Sequence, residues 1–274
     1  IEYSMMLDEQ GYQSEAEAVE ARPVTVIPAE RPPGPWGFWA TIGFSLILLL
    51  ALMGLGAIVC IVFVVVKMQQ NPDAKFEQLV EGLTDNGFFL SLLTFIAYPC
   101  CLALVSLFAR LRRGYPIKDY LVLQLTSKQI LVKWLLGMTG FIIFHDVLTY
   151  TLGREIVPGF MTDVYLTAYF TPLLYLVVIV IAPVFEEVFI RGFMITGFRS
   201  SAIGATGAVL LSSLVWAGLH VQYDMYGISM IFVGGILLGI ARLTTGSTYL
   251  TVILHAFMNI VATAEMLIKV HFIS

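Results

Sequence analysis

The chain has 274 residues, of which 58% are hydrophobic and 12% charged, and a formal net charge of −4. Soluble domains carry about 25% charged residues, so this composition excludes an ordinary water-soluble enzyme. With no basic excess it also excludes a nucleic-acid-binding protein. No Asp, Glu, Lys or Arg occurs in 32–66, 86–109, 164–185, 200–223 or 243–264.

Residues 1–35 read as an acidic, proline-rich extramembrane tail, which either recruits a partner in a membrane complex or is a plain disordered extension. The run Arg31-Pro32-Pro33-Gly34-Pro35 cannot continue a helix and reads as a stiff extended connector. The tail is long and lacks a basic n-region, so it does not read as a secretory signal, and the chain begins at Ile1 rather than Met. Trp36 and Trp39 then suit an aromatic belt at a membrane interface.

An apolar run of about 20 residues is what a helix needs to cross a hydrocarbon core of roughly 30 Å. Open strands would leave their backbone groups unpaired in lipid, so the spans are expected to be helices. Span 1 covers 37–66 and span 2 covers 88–109, separated by a polar loop. The most basic stretch follows, with Arg110, Arg112, Arg113, Lys118 and Lys128; it reads as a cytoplasmic-side segment touching anionic lipid. Span 3, 130–152, contains Lys133, His145 and Asp146. Span 4 starts near 165 and runs to about 198. Spans 5, 6 and 7 lie at 203–221, 226–243 and 248–268. Gly235 and Gly239 in span 6 have the spacing that lets helix backbones approach closely. Cys60, Cys100 and Cys101 lie inside spans without metal-ligand spacing and read as packing residues.

The expected fold class is therefore all-α, a polytopic transmembrane helix bundle of about seven spans. It divides into the tail (1–35), an N-terminal group of spans 1–3 (36–160) and a C-terminal core of spans 4–7 (161–274). Eleven Lys and Arg fall on the side of the N-terminus against four on the other, which predicts a cytoplasmic N-terminus.

Polar residues inside spans are expensive and default to functional candidates. The first group is Glu186-Glu187-x-x-x-Arg191. Glu187 and Arg191 stand i and i+4 and can pair, whereas Glu186 lies about 100° round the helix and is left over. A poorly solvated carboxylate without an ion-pair partner suits a general base; a salt-bridge cluster at a helix end is the structural alternative. The second is Trp216-x-x-x-His220, and the third His255-x-x-x-Asn259, where an imidazole and a carboxamide project from one face. One such pair could be bundle glue. Three polar faces in three of the last four spans are harder to explain in that way. His145-Asp146 reads either as a contact to the site or as a buried interhelical pair.

Glu-Glu-x-x-x-Arg, aromatic-x-x-x-His and His-x-x-x-Asn, in that order on successive apolar helices, resemble the CAAX protease and bacteriocin-processing (Abi) family of membrane endopeptidases. The resemblance covers roughly 165–268 and departs from the family at Trp216, where Phe is usual. It implies that Glu186, with His220, activates the attacking water and that His255 and Asn259 stabilise the oxyanion. Glu187 and Arg191 would then hold the helix and Glu186 in place, with Trp216 as an aromatic wall. The expected location is the bacterial inner (plasma) membrane, and the expected substrate a membrane-bound or hydrophobic peptide. No cofactor is favoured, although Glu186, His220 and His255 would make a His₂Glu zinc set. Asn259, a poor zinc ligand but a good oxyanion donor, speaks for metal-free catalysis.

Two other functions stay open at this point: a non-catalytic scaffold or accessory subunit of the same fold, and a small-solute transporter. The latter usually shows repeated halves with broken helices, which the sequence lacks. The catalytic groups are expected to open towards the cytoplasm. His220 is the awkward residue, because a uniform span 5 places it near the opposite face; a tilted or broken helix is needed to bring it in.

Overall fold

The computed structural model describes residues 34–73 and 75–273; the expectations for the tail before Gly34 fall outside the described residues. Among the described residues there are helices and no strands. Six helices are long and apolar enough to cross a membrane: α1 (Phe38–Gln70), α3 (Gly87–Leu111), α5 (Lys128–Thr151), α7 (Thr171–Arg199), α9 (Met225–Thr245) and α10 (Thr248–Ile273). Short helices α2 (Phe76–Glu81), α4 (Ile117–Tyr120) and α6 (Gly159–Leu166) lie in the connections, and α8 (Gly204–Gly218) is a shorter apolar helix. The protein is an integral membrane protein built as a polytopic helical bundle.

In α1, Leu46, Leu50, Met53 and Ile61 are exposed, whereas Thr41 and Ser45 are buried. Their hydroxyls donate to backbone carbonyls of the same helix, Thr41 to Gly37 and Ser45 to Thr41, so no donor is stranded in lipid. Gly197 of α7 faces Thr41, and a Cβ there would overlap the Thr41 side chain. The Gly235-x-x-x-Gly239 spacing acts as expected: a Cβ at 239 would lie 2.8 Å from Val209 Cγ1, and one at 235 would lie 3.0 Å from Ser213 Cβ. Two missing side chains thus let α9 close on α8.

Two spans depart from the sequence reading. The stretch expected to begin span 4 near 165 is broken into α6 and α7. Pro172 sits at the first turn of α7, where its missing N–H costs nothing and its fixed φ favours a helix start. Span 5 is shorter than hydropathy suggests. Helix α8 has 15 residues, about 22 Å at 1.5 Å per residue, and ends at Gly218 before the apolar stretch does. Residues 219–224 form turns, and Asp224 caps α9 by accepting from the Gly227 N–H at 2.9 Å.

Loop contacts identify the two ends of the bundle. At one end, the α9–α10 turn meets the basic 112–127 connection: the Thr248 N–H donates to Val122 O at 3.0 Å, and Ser247 Oγ donates to Gln124 O. At the other, Asp224 pairs with Arg154 and Lys269 reaches Glu155 at 2.7 Å. The residues after α8 therefore lie at the end opposite the basic connection.

Candidate active site

The site begins with an irregularity in α7. Residues Val177–Ile181 and Val188–Met194 are π-helical, and the α-helical turn between them, Ala182–Glu187, carries both glutamates. In the first π segment the Ala182 N–H reaches Val177 O. The next donor in that register would come from residue 183, but Pro183 has no N–H to give to Val178 O. The Asn259 carboxamide supplies the donor instead, with Nδ2 at 2.8 Å from Val178 O. One Nδ2 hydrogen is thus engaged and the second is left for another acceptor. Single-turn π bulges of this kind frequently occur at functional sites.

Glu187 and Arg191 pair at 2.8 Å with both side chains fully buried, as their i, i+4 spacing implies. Arg191 also donates to Gly235 O at 3.3 Å. The same Glu187 oxygen lies 2.9 Å from His255 Nδ1. A carboxylate only accepts, so Nδ1 carries a hydrogen and Nε2 is the nitrogen left for another partner. His220 is fixed in a parallel way, with Nδ1 at 2.7 Å from Trp216 O. A carbonyl also only accepts, so His220 too presents Nε2.

Trp216 brings the groups together. Its indole Nε1 donates to Glu186 Oε2 at 2.7 Å, so Glu186 is not the partnerless carboxylate that helix spacing suggests. The rings of His220 and His255 stand edge-on to the indole at centroid distances of 5.1 and 5.2 Å. The Arg191 guanidinium lies over it at 4.4 Å. His220 is delivered by the break in its helix: α8 ends at Gly218, and the turn returns the imidazole onto the indole four residues back.

A cavity of about 630 Å³ lies against these groups, with Trp216, His220, His255 and Asn259 among its lining residues. Glu186 is half-buried and joins these residues through Trp216 rather than lining the cavity itself. The same cavity is lined by His145 and Asp146, which pair with each other at 2.9 Å, and by Glu265, a neighbour of Asp146. His145-Asp146 thus lines the same cavity as the candidate site rather than serving only as an interhelical pair. Glu265 and Tyr223 do not stand out in the sequence reading. A signal for Glu265 exists there: it is an ionisable residue in the last apolar span. Burial, and next the charge of Glu186, push the Tyr223 hydroxyl up to about 12, so it stays a protonated donor beside the site.

The cavity is also lined by Gly153, Arg154, Glu155 and Asp224, so it opens at the end opposite the basic connection. That is not the basic end, where the opening was expected. The reason is the short α8, which starts at the basic end and stops short of the other, leaving the recess there. As for zinc, no three His, Cys, Asp or Glu side chains among the described residues are grouped so as to hold a metal ion; Glu186, His220 and His255 meet through the indole, not around a common point.

Comparison with known proteins bears on the same helices. The chain is similar to an uncharacterized 24.3 kDa protein of Escherichia coli, with 27% identity over 184 residues, covering 65% of this chain and 80% of that one. No solved structure matches it. Residues 168–261 match the family model described as type II CAAX prenyl endopeptidase Rce1-like, a segment that holds Glu186, Glu187, Arg191, Trp216, His220, His255 and Asn259. The motif resemblance and the family match agree: over this segment the chain is similar to the CAAX protease and bacteriocin-processing family.

Proposed function

We propose that this protein is an intramembrane endopeptidase that hydrolyses a membrane-associated protein or peptide using a water activated by Glu186 and His220. The observation that carries the reading is the convergence of Glu186, His220 and His255 on the Trp216 indole at the wall of a cavity of about 630 Å³. Glu186 takes a proton from water as the oxygen bonds to the scissile carbonyl carbon, and His220 Nε2 accepts from the same water. The carbonyl becomes an oxyanion, which Asn259 meets with its second amide hydrogen. His255 donates to it as the imidazolium, its Nδ1–H held by the counter-charge of Glu187. Collapse of the intermediate breaks the C–N bond, and the proton held by Glu186 passes to the leaving amine.

The reading is metal-free: in place of a common ligand point the two histidines and the glutamate share an indole. The family description, which names prenyl CAAX endopeptidases, and a cavity flanked by apolar helices support a membrane-associated protein or peptide as substrate. The proposed setting is the bacterial inner membrane with the N-terminus cytoplasmic, and the tail is available to a membrane-complex partner.

The test is mass-spectrometric mapping of new N-termini in membranes expressing the wild-type protein or Glu186→Ala, together with cleavage of a farnesylated CAAX peptide by each purified protein in liposomes. Cleavage products that depend on Glu186 are expected. Identical N-termini in the two membranes and an intact peptide in both liposome samples would overturn the assignment in favour of a non-catalytic subunit.

A further inference from the structure

We infer that Trp216 is a positioning residue for Glu186, acting through its indole N–H rather than through the bulk of its ring. The inference rests on the peptidase reading of the site and deepens it. An aromatic wall needs only a ring, and phenylalanine would serve. The indole adds one donor, and that donor lies 2.7 Å from Glu186 Oε2. Among the described residues no hydrogen bond engages the other oxygen, Oε1, so the carboxylate is held by one oxygen with one free to take a proton. Trp216 is itself fixed: it is buried, and its ring lies under the Arg191 guanidinium at 4.4 Å. Gly235 also makes room for it, since a Cβ there would lie 3.1 Å from Trp216 Cε3. A rigid donor aimed at a flexible carboxylate restricts the rotamers of Glu186, which pre-orients a base before water and substrate arrive.

The same residue sets His220. The Trp216 carbonyl accepts the His220 Nδ1 hydrogen at 2.7 Å, so its side chain orients one of the two water-activating groups and its main chain the other. Substitution of the side chain leaves the carbonyl in place, which separates the two contributions.

The test uses the full chain in lipid nanodiscs with ¹⁵N-indole tryptophan. The Trp216 N–H resonance, identified by elimination through single replacement of Trp36, Trp39 and Trp134 by Phe, is expected downfield in the wild-type protein and shifted upfield in Glu186→Ala. Trp216→Phe keeps the ring and is expected to lower kcat about tenfold to a hundredfold, the worth of a hydrogen bond to a charged group, with KM unchanged. A resonance at the same position in wild-type protein and Glu186→Ala, or a Phe variant with wild-type kcat, would overturn the inference. The resonance arm needs no activity and remains decisive if the Phe variant does not fold. A wild-type protein that cleaves nothing would instead bring down the peptidase reading, whatever the resonance shows.

Discussion

Glu187 Oε1 is shared between Arg191 Nη1 at 2.8 Å and His255 Nδ1 at 2.9 Å, and neither Glu187 nor Arg191 is exposed. One carboxylate therefore ties α7 to α10 and turns His255 Nδ1 towards itself. Arg191→Ala would leave Glu187 as a buried charge without its cation, and should cost about 3–5 kcal/mol of stability. Removing both charges, in Glu187→Gln with Arg191→Met, should cost less than Arg191→Ala alone. Thermal unfolding in detergent checks the order of the two; a double variant less stable than the single one would show that the pair is not held as described.

The bond between Asn259 and Val178 O exists because Pro183 has no N–H. Asn259→Ala should therefore cost about 1 kcal/mol, and less in a Pro183→Ala background, where the restored N–H can serve Val178 O. A double-mutant cycle on unfolding midpoints measures this coupling, expected at about 0.5–1 kcal/mol. Strict additivity would count against the register argument.

Glycines that look alike in the sequence should differ sharply. Gly87 abuts the Val164 backbone carbonyl closely enough that an added Cβ would overlap it, whereas nothing lies within 4 Å of a Cβ at Gly140. Gly87→Ala should destabilise by at least about 2 kcal/mol because backbone cannot yield as a side-chain end can. Gly140→Ala should be neutral or stabilising by up to about 1 kcal/mol. Unfolding midpoints of the two variants decide.

The opening of the cavity can be read by thiol labelling. With Cys60, Cys100 and Cys101 replaced, Gln222→Cys at the cavity mouth and Arg113→Cys on the basic connection are both exposed. A membrane-impermeant maleimide should reach them from opposite sides of sealed vesicles. Labelling of both from one side would contradict the placement of the two ends.

Much of this site is legible in the sequence motifs alone. Glu187 and Arg191 are i, i+4 neighbours, and that relationship is local to one helix, so spacing by itself reveals the pair. Charge-free stretches likewise reveal five of the seven expected spans. What stays hidden depends on relations between helices or on departures from ideal ones. Glu186 looks free because spacing sees only its own helix, while its partner, Trp216, comes from α8. The Asn259 bond needs a π register that no residue pattern announces. The apolar stretch 200–223 is long enough for a full crossing, so hydropathy does not show that α8 stops at Gly218. Counting Lys and Arg assigns loops to sides but says nothing of where a recess opens.

The measurement closest to the central claim is single-turnover cleavage of an identified peptide by purified protein in liposomes, comparing wild type with Glu186→Gln. The substitution keeps the side-chain shape and an acceptor for the Trp216 N–H while removing the base. Cleavage should slow by about a hundredfold to ten-thousandfold, the range for loss of a general base, with the fold and peptide binding retained. Cleavage by Glu186→Gln at the wild-type rate would contradict the assignment of Glu186 as the group that activates water.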